Sequence, residues 1–238
     1  MKKLLPFLAL LFPILLFGQV PDAQHLLGLI SVTTAEKNAI VGPSDGMLLY
    51  DTDENAIYSY STVYGWQKQA IGPSVYVGSF VIKGDGNHVI NGLPFKPSQV
   101  TFSAHANIED FNIDSDNGVG NNAQGLQNSY GSMTGFARDD NGSTTQQVIY
   151  SGGHGNSIND ISRYSSSSHC IGIRFGHQNG DDLGKILASF SSFDTNGFTV
   201  KAEYQKGTLT GAGTTATNTF EPGDVEDETL LVLYTAYR

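Results

Sequence analysis

The chain has 238 residues, a formal net charge of −10 and only 15% charged residues, against roughly 25% in an average soluble domain. So few Glu, Lys and Arg, with 28 glycines, exclude a helical bundle, whose wet faces need those charges. Only 13 Lys and Arg, in no basic run, exclude nucleic acid as a partner, and 39% hydrophobic residues exclude wholesale disorder.

Met1-Lys2-Lys3 is a short basic start, and residues 4–17 are almost wholly apolar before Gly18-Gln19. Charge, length and flank together read as a secretory signal over 1–18, with the mature chain starting at Gln19. The apolar run is shorter than the roughly 20 residues of a spanning helix, so no membrane span is expected. The protein is expected to be secreted, extracellular or at the cell surface. Cys170 is the single cysteine, which leaves stability to core burial or oligomerisation rather than to an intrachain disulfide. A strand through 168–175 puts His169 and Cys170 on opposite faces, so Cys170 reads as a small buried hydrophobe and not as a nucleophile.

Residues 19–72 read as a small module. Thr33 and Glu36 stand at capping-box spacing before a short helical turn. Gly42-Pro43-Ser44-Asp45-Gly46 stops that helix. Residues 47–52 and 56–60 read as strands around an Asp53-Glu54-Asn55 turn, and Trp66 closes the segment. So short a piece cannot cover Leu26, Leu27, Leu29, Ile30, Leu48, Tyr50, Ile57, Tyr58 and Trp66 by itself. It packs either on the following domain or on copies of itself, which makes a homo-oligomer the expected assembly.

This order, an apolar run, Thr33-Thr34-Ala35, a Pro/Gly turn, Leu49-Tyr50-Asp51-Thr52, an aromatic strand and Gly65-Trp66, resembles a module of exported Gram-negative surface proteins and phage tail-fibre proteins. Gly28-Leu29-Ile30-Ser31 departs from the Pro-Arg that is common there. The resemblance implies a connector or stalk, a trimer as the first guess, and no enzymatic activity.

Residues 73–238 read as an antiparallel β-sandwich, so the fold class is mainly β: a small N-terminal hairpin and helical-turn module, then a sandwich head. Residues 75–82 form a strand, a tight turn follows at 84–87, and 88–90 begin a return strand. In 99–106, Val100, Phe102, Ala104 and Ala106 share one face. Further strands are expected over 132–137, 146–150, 170–175, 185–193 and 198–204, with Phe198, Val200, Ala202 and Tyr204 inward. Asn196-Gly197 is read as the strongest hairpin signal. The last strand, 230–237, is apolar on both faces and is expected to be central in a sheet or buried at an interface. The opening 91–102, the pair Ser192-Phe193 with Asn196-Gly197-Phe198-Thr199, and the closing 232–236 together resemble β-sandwich head domains of phage tail proteins. That resemblance implies a binding head rather than a catalyst.

Within 110–118, Asp110, Asn112, Asp114 and Asp116 alternate with other residues. Calcium takes six to eight oxygens at about 2.3–2.6 Å, which a bent loop of this kind can supply in part; the other reading is a solvated loop. Asp139-Asp140, Asp181-Asp182 and 224–228 are further acidic clusters. The six histidines form no metal signature. Gly211-Ala212-Gly213 lacks the following helix of a dinucleotide fingerprint, and no G-x-S-x-G or P-loop is present. Loops are expected over 107–128 and 151–168. Phe111, Tyr130, His154 and Tyr164 on or beside them are the candidate ligand residues, because aromatic faces with amide and hydroxyl neighbours suit a surface glycan. The leading expectation is an exported, non-enzymatic surface or fibre-like binding or structural protein. A carbohydrate-binding, lectin-like module, with calcium as its cofactor, is the alternative, and a secreted glycan-cleaving enzyme is the third.

Overall fold

The structure is a computed structural model that describes residues 28–69, 72–111, 125–177, 180–208 and 223–238. Of these, 62% are strand and 7% helical, which sets the class as mainly β. The chain divides between residues 71 and 72 into two compact units.

In the N-terminal unit, β1 (Ser31–Val32) lies parallel to β2 (Leu48–Asp51), which continues antiparallel into β3 (Ala56–Ser61) and β4 (Gly65–Lys68). The helix α1 (Thr34–Ala39) starts from a complete capping box: Thr33 Oγ1 accepts from the Glu36 amide, and the Glu36 carboxylate accepts from the Thr33 amide at 2.8 Å. The apolar interior is small: Leu49, Ala56 and Tyr58, flanked by Val32 and Trp66. The rest is ionic. Lys37 and Asp51 are both buried and lie 2.7 Å apart, and the Lys37 ammonium sits 3.5 Å over the Tyr58 ring. Of the apolar run expected to open this unit, Leu26 and Leu27 lie outside the described residues, and the strand forms one step later, at Ser31–Val32.

Among the described residues, the second unit has ten strands in two sheets. One holds β10-β9-β8-β7-β14-β5 and the other β11-β12-β13-β6. Their ranges are β5 Val75–Lys83, β6 Gly86–Asn91, β7 Gln99–His105, β8 Ser129–Asp140, β9 Ser143–His154, β10 Ser157–Ser166, β11 Ile171–Gly176, β12 Asp182–Asp194, β13 Gly197–Thr208 and β14 Thr229–Tyr237. The alternation of β7 and β13 turns Val100, Phe102 and Ala104, and Phe198, Val200 and Ala202, into one core. Phe198 is its hub, edge-on to Phe102 and Tyr234 with centroids 5.7 and 5.0 Å away. β14 is interior to its sheet, between β7 and the edge strand β5, but only its inner face is buried; Leu233 and Tyr237 on the outer face are exposed. Cys170 is fully buried, and burial pushes its thiol pKa up.

Three expectations need correction. The return strand β6 does not pair with β5; the chain crosses at Gly84-Asp85 to the other sheet, where β6 pairs with β13. The hairpin expected at 196–197 forms between β12 and β13, but the turn with Asn-Gly at its centre lies between β8 and β9, where Asn141 and Gly142 have φ of 56° and 93°, the two left-handed residues that a twist-matched hairpin needs. At β12–β13 the turn residues are Thr195-Asn196, and Gly197 is already in the ladder, glycine because a Cβ there would overlap the Ile90 carbonyl. Finally, 151–168 is not a loop: β9 runs to His154 and β10 occupies most of the remainder.

Candidate functional site

The register places one set of connections at a single end of the head. β7 ends at His105, β8 starts at Ser129, β9 ends at His154, β11 ends at Gly176 and β14 starts at Thr229, all at that end. Small residues let the two sheets approach there. The Ser129 hydroxyl donates to the Gly176 carbonyl at 2.9 Å, and the Ser162 hydroxyl donates to the Arg174 carbonyl at 2.7 Å. These bonds fasten β10 and β8 to β11, which belongs to the opposite sheet.

The core turns polar at this seam. His154, Asp160, Ser162 and His177 are all buried. The His154 Nε2 faces the Gly125 carbonyl at 3.2 Å, and its Nδ1 faces the Asn156 amide at 3.3 Å. The His177 ring lies 5.7 Å away, centroid to centroid. Both carboxylate oxygens of Asp160 are buried and make no close hydrogen bond. Burial raises its pKa, opposed by His154, Arg174 and His177 and by the backbone of Gly180. The Arg174 guanidinium donates to Ser162 Oγ at 3.0 Å and to the Gly180 carbonyl at 3.2 Å, and lies 3.9 Å from Asp182, which also pairs with Lys185. Ile161, Arg163, Arg174 and Gly180 line an open hollow of about 310 Å³ beside this cluster. At the same end, Glu228 has its pKa pushed up to about 7 by burial and by the negative charges of Glu109, Asp224 and Asp227.

Of the sequence-predicted residues, Tyr130 and His154 meet at this end. Tyr130 is exposed opposite Gly153, and His154 is wholly buried rather than presented on a loop tip. Asp110 and the exposed Phe111 follow β7 there too, beside the start of β14, where the Glu109 carbonyl accepts from Thr229 Oγ1. Tyr164 sits further along β10, opposite Tyr150, with its ring against Gly172 and its hydroxyl 3.0 Å from His169 Nδ1; it is a packing residue. Asn112, Asp114 and Asp116 lie outside the described residues, and among the described residues no group of three His, Cys, Asp or Glu is placed to hold a metal. Sequence reasoning did not single out this cluster: Asp160 and Ser162 lay in a polar stretch read as loop, Arg174 in the strand expected over 168–175, and His177 among histidines that form no metal signature. No helix among the described residues is long and apolar enough to cross a membrane.

In comparisons with protein families, with curated proteins and with solved structures, nothing matched the chain.

Proposed function

We propose that the protein is an exported, non-enzymatic surface or fibre-like protein whose sandwich head binds a glycan, with the N-terminal unit as a connector that associates with its own copies, a trimer first. The observation that carries this reading is the buried polar seam, Asp160 with His154, His177 and Arg174, next to an open hollow. A carboxylate buried with no close hydrogen bond does little for an apolar core, whereas a site for a hydroxyl-rich ligand needs polar groups beside it. Arg163 and Arg174 offer donors to ring hydroxyls, and Ile161 and the exposed Tyr130 ring offer apolar faces for the sugar's C–H side. The exposed Ile30, Val41, Val63 and Tyr64 of the N-terminal unit support association there.

A glycan array with the full mature chain tests this, followed by titration of any hit against Arg163→Ala and Tyr130→Ala. The expected result is selective binding that weakens at least tenfold in both variants, with no hydrolysis of the bound glycan. An empty array defeats the glycan reading, and release of reducing ends makes the protein an enzyme.

A further inference from the structure

β5 is an edge strand without the usual protection. It is nine residues long, pairs with β14 along its whole length without a bulge, contains no proline, and carries its one charge, Lys83, at its last position. Edge strands of soluble proteins are normally short, bulged, charged or covered, because their free N–H and C=O groups template another strand. The phase of the ladder identifies those groups. The Arg238 amide donates to the Ser74 carbonyl at 2.9 Å. Bonded pairs alternate along an antiparallel ladder. Tyr76, Gly78, Phe80 and Ile82 therefore bond to β14, while Val75, Val77, Ser79, Val81 and Lys83 direct their N–H and C=O groups away from it. Among the described residues nothing pairs with that side.

The outward side chains are as unusual as the backbone. Val77 is 71% exposed, and Val75 and, on the next strand, Leu233 are also exposed. The chain as a whole carries a net charge of −10, so two copies repel over most of their surface. β5 has no acidic residue, and it is a place where two copies can approach without that penalty.

We propose that β5 pairs antiparallel with β5 of a second copy about Ser79, joining two six-stranded sheets into one. That register is self-complementary. Val77 meets Val81 of the second copy, Ser79 meets Ser79, and Lys83 meets Val75, so no like charges oppose and the β-branched residues stack. All five outward residues of each strand are then bonded, for about ten new hydrogen bonds. Nine residues a side is fewer than the roughly 20–30 of a standard interface, so the dimer is expected to dissociate in the micromolar range. The proposal is independent of glycan binding and adds a twofold contact to whatever assembly the N-terminal unit makes.

The test uses the full mature chain. Sedimentation is followed from about 1 to 200 µM, a range bracketing micromolar affinity, for wild type, Val77→Pro and Val77→Lys/Val81→Lys. The Val77 amide points away from β14, so proline there removes no bond within the sheet, and the double lysine variant needs no backbone change at all. The expected result is a twofold fall in wild-type mass on dilution, with both variants at the lower mass throughout and unchanged circular dichroism. Hydrogen exchange at Val75, Val77, Ser79 and Val81 should be slow in concentrated wild type and fast on dilution. Equal masses for wild type and variants overturn the proposal. So does protection of those amides at every concentration, which would mean that another segment of the same chain covers the edge, and so does protection at none.

Discussion

The Lys37 ammonium lies 2.7 Å from the Asp51 carboxylate inside a unit whose apolar core is three residues. Burial alone would raise the Asp51 pKa. Lys37, the Thr34 hydroxyl and the Glu54 and Asp53 amides outweigh it and hold the group at about 2. The folded pKa lies below the ordinary value near 3.9. The carboxylate's contribution is therefore complete above about pH 4 and is lost as pH falls towards 2. Burial lowers the Lys37 pKa, but its bonds to Asp51 and Tyr58 raise it by more, so its share is present below about pH 10 and lost above. Trp66, the chain's one tryptophan, is in this unit and reports on it. Its fluorescence should show an acid transition between about pH 4 and 2. Lys37→Met, which leaves the buried carboxylate without its counter-ion, should move that transition to higher pH. An unmoved transition would show that the pair does not hold the unit together.

Glu228 titrates in the opposite sense. Its folded pKa, about 7, is above the ordinary carboxyl value near 4.3. The folded state therefore holds the proton more tightly, and stability declines as pH rises from about 4 to 7. Glu228→Gln removes the charge but keeps the shape. It should raise the melting temperature at pH 8 and leave it nearly unchanged at pH 4. An equal effect at both pH values would place the cause elsewhere.

Adjacent positions on β13 and β14 separate the two faces of the sandwich. Phe198→Ala, at the aromatic hub, should cost about 3–5 kcal/mol in denaturant unfolding. Leu230→Ala, fully buried, should cost about 2–5 kcal/mol. Leu233→Ala, half exposed on the outer face, should change stability by no more than about 0.5 kcal/mol. A large loss at Leu233 in dilute protein would contradict the register of β14.

Gly197 and Asn196 make a sharper pair. A Cβ at 197 would overlap the Ile90 carbonyl of β6, a backbone atom that cannot turn aside. Gly197→Ala should cost at least about 1–3 kcal/mol in chemical unfolding, whereas Asn196→Asp, in the turn, should be within about 0.5 kcal/mol. Comparable losses would return the glycine to the turn.

Strands with an apolar inner face were legible from sequence. In β7 and β13 every second residue is apolar; β14, apolar on both faces, was legible as a strand inside the sheet, but not that its outer face stays exposed beside the edge. β10 was not legible, because its inward residues are Asp160, Ser162, Tyr164 and Ser166 and no apolar alternation marks it. Its role is to close a polar seam, which leaves no hydrophobic period to read. The switch of β6 to the second sheet was hidden for another reason: a tight turn reports that the chain bends, not which strand it meets. The seam itself draws on residues from β8 to β11 and beyond, related by register and not by spacing. Only Tyr130 and His154 drew notice locally, and the burial of His154 depends on its neighbours across strands.

The place of β14 carries a consequence for how the head is made. β5 and β7 are separated in the sheet by a strand that follows them by more than a hundred residues. Until Thr229–Tyr237 has left the ribosome, β5 lacks the one strand it pairs with among the described residues and β7 has a bare side. The pairing that completes the sheet is long-range and comes last, the arrangement that slows folding and prolongs the exposure of sticky strands. A nascent chain of this protein therefore depends on being held apart from its fellows for most of its synthesis, and a truncation before residue 229 cuts β5 off from the other four strands rather than giving a slightly smaller head.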